Sequence, residues 1–204
     1  MTDKKELIKH FQSFINDKRL LKAFESVPRE NFISDKKHAY GDFALPIGFG
    51  QTISQPTTVM IMTQALELKK GLKILEIGSG SGYQTALISK IIGLSGKIYT
   101  TEIIPELANV AKTNLKYYRN IEVLNYDGSI GHEQKAPFDR IIITAACPSI
   151  PQPLIEQLDN NGILVAPVGS LTGGQEMVKL RKPGLKQEFL GRFVFVPLKG
   201  KHGY

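Results

Sequence analysis

The sequence predicts an α/β fold: a doubly wound, mostly parallel sheet preceded by an N-terminal helical cap. Three observations carry that reading. Between Leu72 and Val165, short apolar runs alternate with stretches of helical spacing. The first run, Leu72–Ile77, opens onto Gly78-Ser79-Gly80-Ser81-Gly82, a glycine-rich turn that feeds a helix. Beyond residue 170 the alternation stops, and two strand-like stretches are joined at Pro183-Gly184. A chain of 204 residues, 42% of them hydrophobic, can bury one substantial core, so a single domain over 1–204 is expected. Within it, 1–56 read as cap and loop, 57–169 as the ligand-binding core and 170–204 as C-terminal strands.

The cap begins with Leu7, Ile8, Phe11 and Ile15 at helical spacing, which predicts a helix over Lys5–Ile15. A second helix covers Leu20–Val27, where Pro28 interrupts it. Ala44–Pro56 holds two prolines and two glycines and reads as a loop. It is unusually apolar, so it is expected to pack over something. Ser54 suits a helix N-cap with Pro56 in the first turn. The helix that follows carries Val59, Met60, Met62, Ala65 and Leu66. Ile74, Leu75 and Ile77 suit a strand covered on both faces. The next helix opens near Ser81 and carries Ala86, Leu87, Ile88 and Ile91. A strand over Lys97–Glu102, a helix over Pro105–Leu115 and strands over Ile121–Leu124 and Arg140–Thr144 continue the alternation. A short helix near Pro153–Leu158 and a strand over Gly162–Val165 close it. Glu176–Arg181 and Phe189–Pro197 then read as an antiparallel pair.

The glycine turn leaves bare backbone at a helix N-terminus, where a ligand can lie close. Two features argue against a dinucleotide. Its fingerprint is G-x-G-x-x-G; here the third glycine comes one residue early, and Tyr83 fills its place. Glu76, just ahead of the glycines, would repel a pyrophosphate and favour a ligand carrying positive charge. S-adenosyl-L-methionine (SAM), with its sulfonium and amino groups, is such a ligand. Glu102 ends the second strand roughly 20 residues beyond the glycines, where an acid can accept both hydroxyls of a ribose; its plain reading is an acid at a strand end. Asp127-Gly128 could meet an adenine amino group or simply make a turn. Ser54, too, could be no more than a cap.

The net charge of +7 raises the question of a nucleic-acid partner. The lysines, however, are scattered pairs (Lys4-Lys5, Lys36-Lys37, Lys69-Lys70) with no interleaved aromatics, so a solvated basic surface and no nucleic acid are expected. No signal-peptide pattern and no membrane-length apolar run occur, which predicts a cytoplasmic protein without a membrane partner. Cys147 is the single cysteine, which rules out an internal disulfide. No metal-ligand spacing is present, so no metal is expected. His10, His38, His132 and His202 stand in no catalytic pattern.

Several separated segments resemble one family, the protein-L-isoaspartate (D-aspartate) O-methyltransferases. Glu76–Gly82 resembles the first motif of SAM-dependent methyltransferases in general. More specific are Val27-Pro28-Arg29-Glu30 with Phe32, Ala39-Tyr40, Ala44–Gly48, Gly50–Pro56 and Glu102–Leu107. Pro137–Asp139, Thr144–Ala146, Pro167–Gly169 and Phe195–Leu198 extend the match from about residue 20 to the C-terminus. The resemblance implies a seven-stranded Rossmann-like methyltransferase sheet with a variant order of the last two strands. It implies methyl transfer from SAM to the free α-carboxylate of L-isoaspartyl residues in damaged proteins, with D-aspartyl residues as a second candidate acceptor. It assigns Thr52, Ile53 and Ser54 to the active-site loop, with Ser54 catalytic. Glu76, Gly78, Ser79 and Gly80 fall to the methionine end of SAM, Glu102 to its ribose, and Asp127 and Gly128 to its adenine. Isoaspartyl peptides and proteins are the implied partners, and a monomer is expected. There are departures: Tyr126 stands where the family often has glycine, and Val59 where some animal members carry a histidine.

An isoaspartyl α-carboxylate, with a pKa of about 3.5, is ionised at neutral pH and needs no strong base to act as a nucleophile. That agrees with the absence of a catalytic histidine pattern. Two other readings remain at this stage: a SAM-dependent enzyme acting on RNA or a small molecule, and a module that binds SAM or damaged peptides without transfer.

Overall fold

The computed structural model describes residues 3–204. At its centre is a seven-stranded sheet. After the cap helices α1 (Lys4–Phe11) and α2 (Lys18–Ser26) comes a hairpin of β1 (Leu45–Gly48) and β2 (Gln51–Ile53). Then follow α3 (Pro56–Ala65), β3 (Lys73–Ile77), α4 (Tyr83–Ile92), β4 (Lys97–Glu102), α5 (Pro105–Leu115) and β5 (Ile121–Asn125). The chain closes with β6 (Phe138–Ile143), α6 (Gln152–Glu156), β7 (Leu158–Ser170), β8 (Gly174–Arg181) and β9 (Lys186–Phe193).

The strand order is β5-β4-β3-β6-β7-β8-β9. The pairs from β5 through β7 are parallel, and β8 and β9 join antiparallel in sequence order. The order turns back between β3 and β6, where open α/β sheets form a crevice at the strands' carboxyl ends. Both sheet faces are covered. One core joins the cap to α3 and α4 through Phe11, Phe24, Met60 and Leu87; the other gathers Leu75, Phe138, Ile141 and Leu164. This two-sided burial explains why β3 and β6 read as nearly continuous apolar runs.

Several sequence-based boundaries shift. The first helix stops at Phe11, and β9 ends at Phe193, short of Pro197. Residues Leu45–Ile53, expected as loop, form a hairpin, with Leu45 opposite Ile53 and Pro46 opposite Thr52. Its tip is made by Gly48, Phe49 and Gly50, all at positive φ. Strand β7 runs for 13 residues, far beyond Gly162–Val165, because β8 pairs with it from Ile163 to Ser170. Pro167 and Gly169 lie within this pairing, opposite Met177 and Gln175. Ser54 is not the N-cap of α3. Gln55 holds that place without a side-chain cap, and Asp42 accepts the Thr57 N–H at 2.9 Å instead.

Candidate active site

The strand ends of β3, β4 and β6 open into one cleft. Its walls include Ile77–Ser81 of the glycine turn, Thr101–Ile104 after β4, and Thr144 and Ala145 after β6. The hairpin contributes Gln51, Thr52, Ile53 and Ser54, and the C-terminal tail contributes Val196–Lys199. Residues separated by more than a hundred positions in sequence thus converge on one crevice.

The glycine turn is shaped by contact. Gly78 has φ +94, and a Cβ there would come within 2.5 Å of Thr144 Oγ1. Thr144 Oγ1 donates to the Gly78 carbonyl at 2.6 Å, tying the turn to the end of β6. The N–H groups of Gly78 and Ser79 both donate to the Thr101 carbonyl at 2.9 Å. Gly80 donates to Glu102 Oε2 at 2.9 Å, and Ile104 N donates to Oε1 at 3.0 Å. Each carboxylate oxygen keeps a second acceptor site, so Glu102 can still receive ligand hydroxyls from the cleft it lines.

Of the residues singled out in the sequence, Thr52, Ile53, Ser54, Gly78, Ser79, Gly80, Glu102 and Gly128 all border the cleft. A Cβ on Gly128 would lie 2.0 Å from Thr101 Oγ1, so only glycine permits this approach. Two of the singled-out residues, Glu76 and Asp127, are not among those that border the cleft. Glu76 does not reach the cleft; it is 0% exposed, with Oε2 accepting the hydroxyls of Thr85 and Thr100. Its other oxygen has no partner. Burial pushes its pKa up to about 7, the two threonine hydroxyls pull it down, and the charge of Glu102 adds to the rise. Asp127 is likewise turned away: it caps the turn that follows by accepting from Ser129 N at 2.9 Å, and its other oxygen accepts Lys201 N at 2.7 Å. The C-terminal tail thus holds one of the two Asp127 oxygens.

That tail is what the sequence reading missed. Ala146 N donates to the Val196 carbonyl at 2.8 Å, and Leu198 N returns a bond to Ala146 at 2.7 Å. The tail is thereby strapped across the end of β6, bringing Val196–Lys199 to the cleft. The Phe195–Leu198 match was the one signal for it. Tyr83, the first residue of α4, is buried and borders the cleft; burial raises its pKa, and the charge of Arg29 opposes the rise. None of the four histidines borders the cleft. Among the described residues, no cluster of three or more His, Cys, Asp or Glu side chains could hold a metal ion, and no helix is long and apolar enough to cross a membrane.

Ser79 lines the cleft, and its hydroxyl is enclosed with no partner within the protein. A buried hydroxyl of this kind calls for a polar ligand group. With Glu102 bonded to the same turn, the residues fit a ligand that has an amino-acid end and a ribose. The family model described as protein-L-isoaspartate(D-aspartate) O-methyltransferase matches residues 2–203. The chain belongs to this family. It is 44% identical to the protein-L-isoaspartate O-methyltransferase of Methanosarcina mazei, over 98% of this chain and 85% of the relative. It is 45% identical to that of Methanococcoides burtonii, over 92% of this chain and 95% of the relative. Among solved structures, a Plasmodium falciparum member of the family in complex with S-adenosyl-L-homocysteine superimposes with a TM-score of 0.85 at 24% identity, covering 98% of this chain and 99% of that one. At that identity the likeness shows a shared fold.

Proposed function

We propose that this isoaspartyl methyltransferase family member works as its relatives' names say, as a protein-repair enzyme. It transfers a methyl group from S-adenosyl-L-methionine to the free α-carboxylate of L-isoaspartyl residues. The observation that carries this reading is the juxtaposition of Thr52–Ser54 with the Gly78–Gly80 turn on the walls of one cleft. A loop without a basic side chain faces a turn suited to a nucleoside ligand, as transfer to an already ionised acceptor requires.

Bound SAM supplies an electrophilic methyl group. Ser79 and the glycine turn would hold its amino-acid end, and Glu102 its ribose. Gly128, which packs directly on Thr101, would border the base. Glu76 acts at one remove: through Thr85 and Thr100 it joins β3 to α4 and β4 behind the turn. On the other wall, the Ser54 hydroxyl caps no helix and is free to donate a hydrogen bond that orients the substrate carboxylate. The hairpin and the tail strap narrow the cleft around the reacting groups, so positioning and partial desolvation supply most of the acceleration. No protein base is needed, because the acceptor carboxylate is already ionised. The methyl ester then closes to a succinimide without the enzyme, and hydrolysis returns part of it as aspartate. D-aspartyl acceptors, a cytoplasmic location, a monomeric state and the absence of a nucleic-acid partner belong to the same proposal.

Mass spectrometry of an isoaspartyl peptide incubated with protein and SAM tests it. The expected result is a gain of one methyl mass, followed by loss of methanol and recovery of the aspartyl peptide. A peptide mass that never changes would refute it.

A further inference from the structure

Arg29 is 0% exposed, yet no carboxylate among the described residues pairs with it. Its Nε donates to the Ala39 carbonyl at 2.9 Å, and its Nη2 donates to the Ser54 carbonyl at 2.7 Å. Its guanidinium lies 5.0 Å from the centroid of the Tyr83 ring. Nη1 and the Tyr83 hydroxyl are both enclosed with no other partner, and each acts on the other's charge. Ser54 and Tyr83 both border the cleft. The guanidinium therefore sits one layer behind the cleft wall, bonded to the backbone of one wall residue and stacked on another.

The segment after Ser54 is held from a second direction. Asp42 accepts Gln55 Nε2 at 3.0 Å, Thr57 N at 2.9 Å and Thr57 Oγ1 at 2.7 Å. Arg29 and Asp42 thus clamp the short link between the hairpin and α3, with Ser54 at its cleft end. A buried cation ordinarily has a counter-ion, because its desolvation is costly. The charge of Asp42 acts on the guanidinium, but its hydrogen bonds go to Gln55 and Thr57. The substrate of this cleft, by contrast, is an anion.

We propose that Arg29 is a positioning residue for methyl transfer, fixing Ser54 through its backbone carbonyl and supplying, from behind the wall, the positive field in which the substrate α-carboxylate settles. The proposal rests on the isoaspartyl reading of the cleft. It makes two separable claims. The fork geometry sets the position of Ser54, which governs kcat. The charge sets the affinity for an anionic acceptor, which governs peptide KM.

The test compares wild type, Arg29→Lys, Arg29→Gln and Asp42→Asn with an isoaspartyl peptide, alongside titration with S-adenosyl-L-homocysteine. Arg29→Lys keeps the charge and loses the fork, so kcat should fall at least about tenfold with peptide KM within about threefold. Arg29→Gln loses both, and peptide KM should rise about tenfold as well. S-adenosyl-L-homocysteine affinity should stay within about twofold in each, which a general loss of structure would not allow. Should the Arg29 variants fail to fold, Asp42→Asn still decides the claim about charge. Its oxygen can keep the Thr57 N–H and its amide can donate to Thr57 Oγ1, so only the Gln55 bond is lost while a negative charge near Arg29 is removed, and peptide KM should fall. A KM that stays put or rises would overturn that claim. Wild-type turnover in both Arg29 variants, or cofactor affinity that falls in step with activity, would overturn the proposal. An inactive wild type would instead sink the isoaspartyl reading itself.

Discussion

Replacing Glu76 with glutamine should reverse part of this protein's response to pH. The carboxyl is wholly enclosed, and burial lifts its pKa from the ordinary 4.5 to about 7. The folded value lies above the unfolded one, so the native state holds this proton more tightly. Its contribution to stability is fully present below about pH 4.5 and is lost as the pH rises to about 7. At about 1.4 kcal/mol for each pH unit, the whole rise amounts to about 3 kcal/mol. Glutamine is the neutral isostere. Its oxygen can keep the hydroxyls of Thr85 and Thr100, and its nitrogen replaces the oxygen that has no partner. Any fixed cost of that amide applies equally at every pH. The assay is urea unfolding of both proteins without ligand, from pH 5 to pH 8. The stability of Glu76→Gln relative to wild type should climb by about 2–3 kcal/mol over that range, equivalent to roughly 4–12 °C in Tm for a domain of this size. A difference that does not change with pH would refute the reasoning and mean that Glu76 is ionised throughout.

Other outcomes follow from the cleft. Glu102→Gln puts an amide N–H against the N–H of either Gly80 or Ile104, so SAM affinity should fall at least about tenfold by calorimetry; an unchanged titration would remove Glu102 from the ribose site. Ser54→Ala should lower turnover of an isoaspartyl peptide about tenfold with SAM affinity within about twofold, and a parallel loss of SAM binding would contradict its orienting role. Gly78→Ala meets both a positive φ and Thr144 Oγ1, whereas Gly48→Ala meets a similar φ in open space. The first should therefore cost about 1–3 kcal/mol more than the second in thermal unfolding, and equal losses would show that the contact with Thr144 is unimportant.

Much of this architecture was legible in the sequence because it is encoded locally. Strand β4 and helix α5 fall on their expected bounds, Lys97–Glu102 and Pro105–Leu115. There, apolar periodicity and a proline in the first helical turn fix the ends. The glycine turn, Glu102 and Thr52–Ser54 border one cleft. What was hidden depends on long-range partners. The cap of α3 comes from Asp42, and the carboxylate of Asp127 is claimed by Lys201 at the other end of the chain. Glu76 shows the limit most clearly: its place before the glycines suggested a ligand contact, but period-two geometry turns it toward Thr85 and Thr100. No local pattern could show that Val196–Lys199 cross the end of β6, or that Arg29 lies behind Ser54.

The measurement that bears most directly on the central claim uses two synthetic peptides that differ only in one linkage, isoaspartyl or aspartyl. Each is incubated with the purified protein and methyl-labelled SAM, and base-labile methyl ester is counted. The account predicts label on the isoaspartyl peptide and background on its aspartyl twin. Label on both alike, or on neither while SAM still binds, would contradict it.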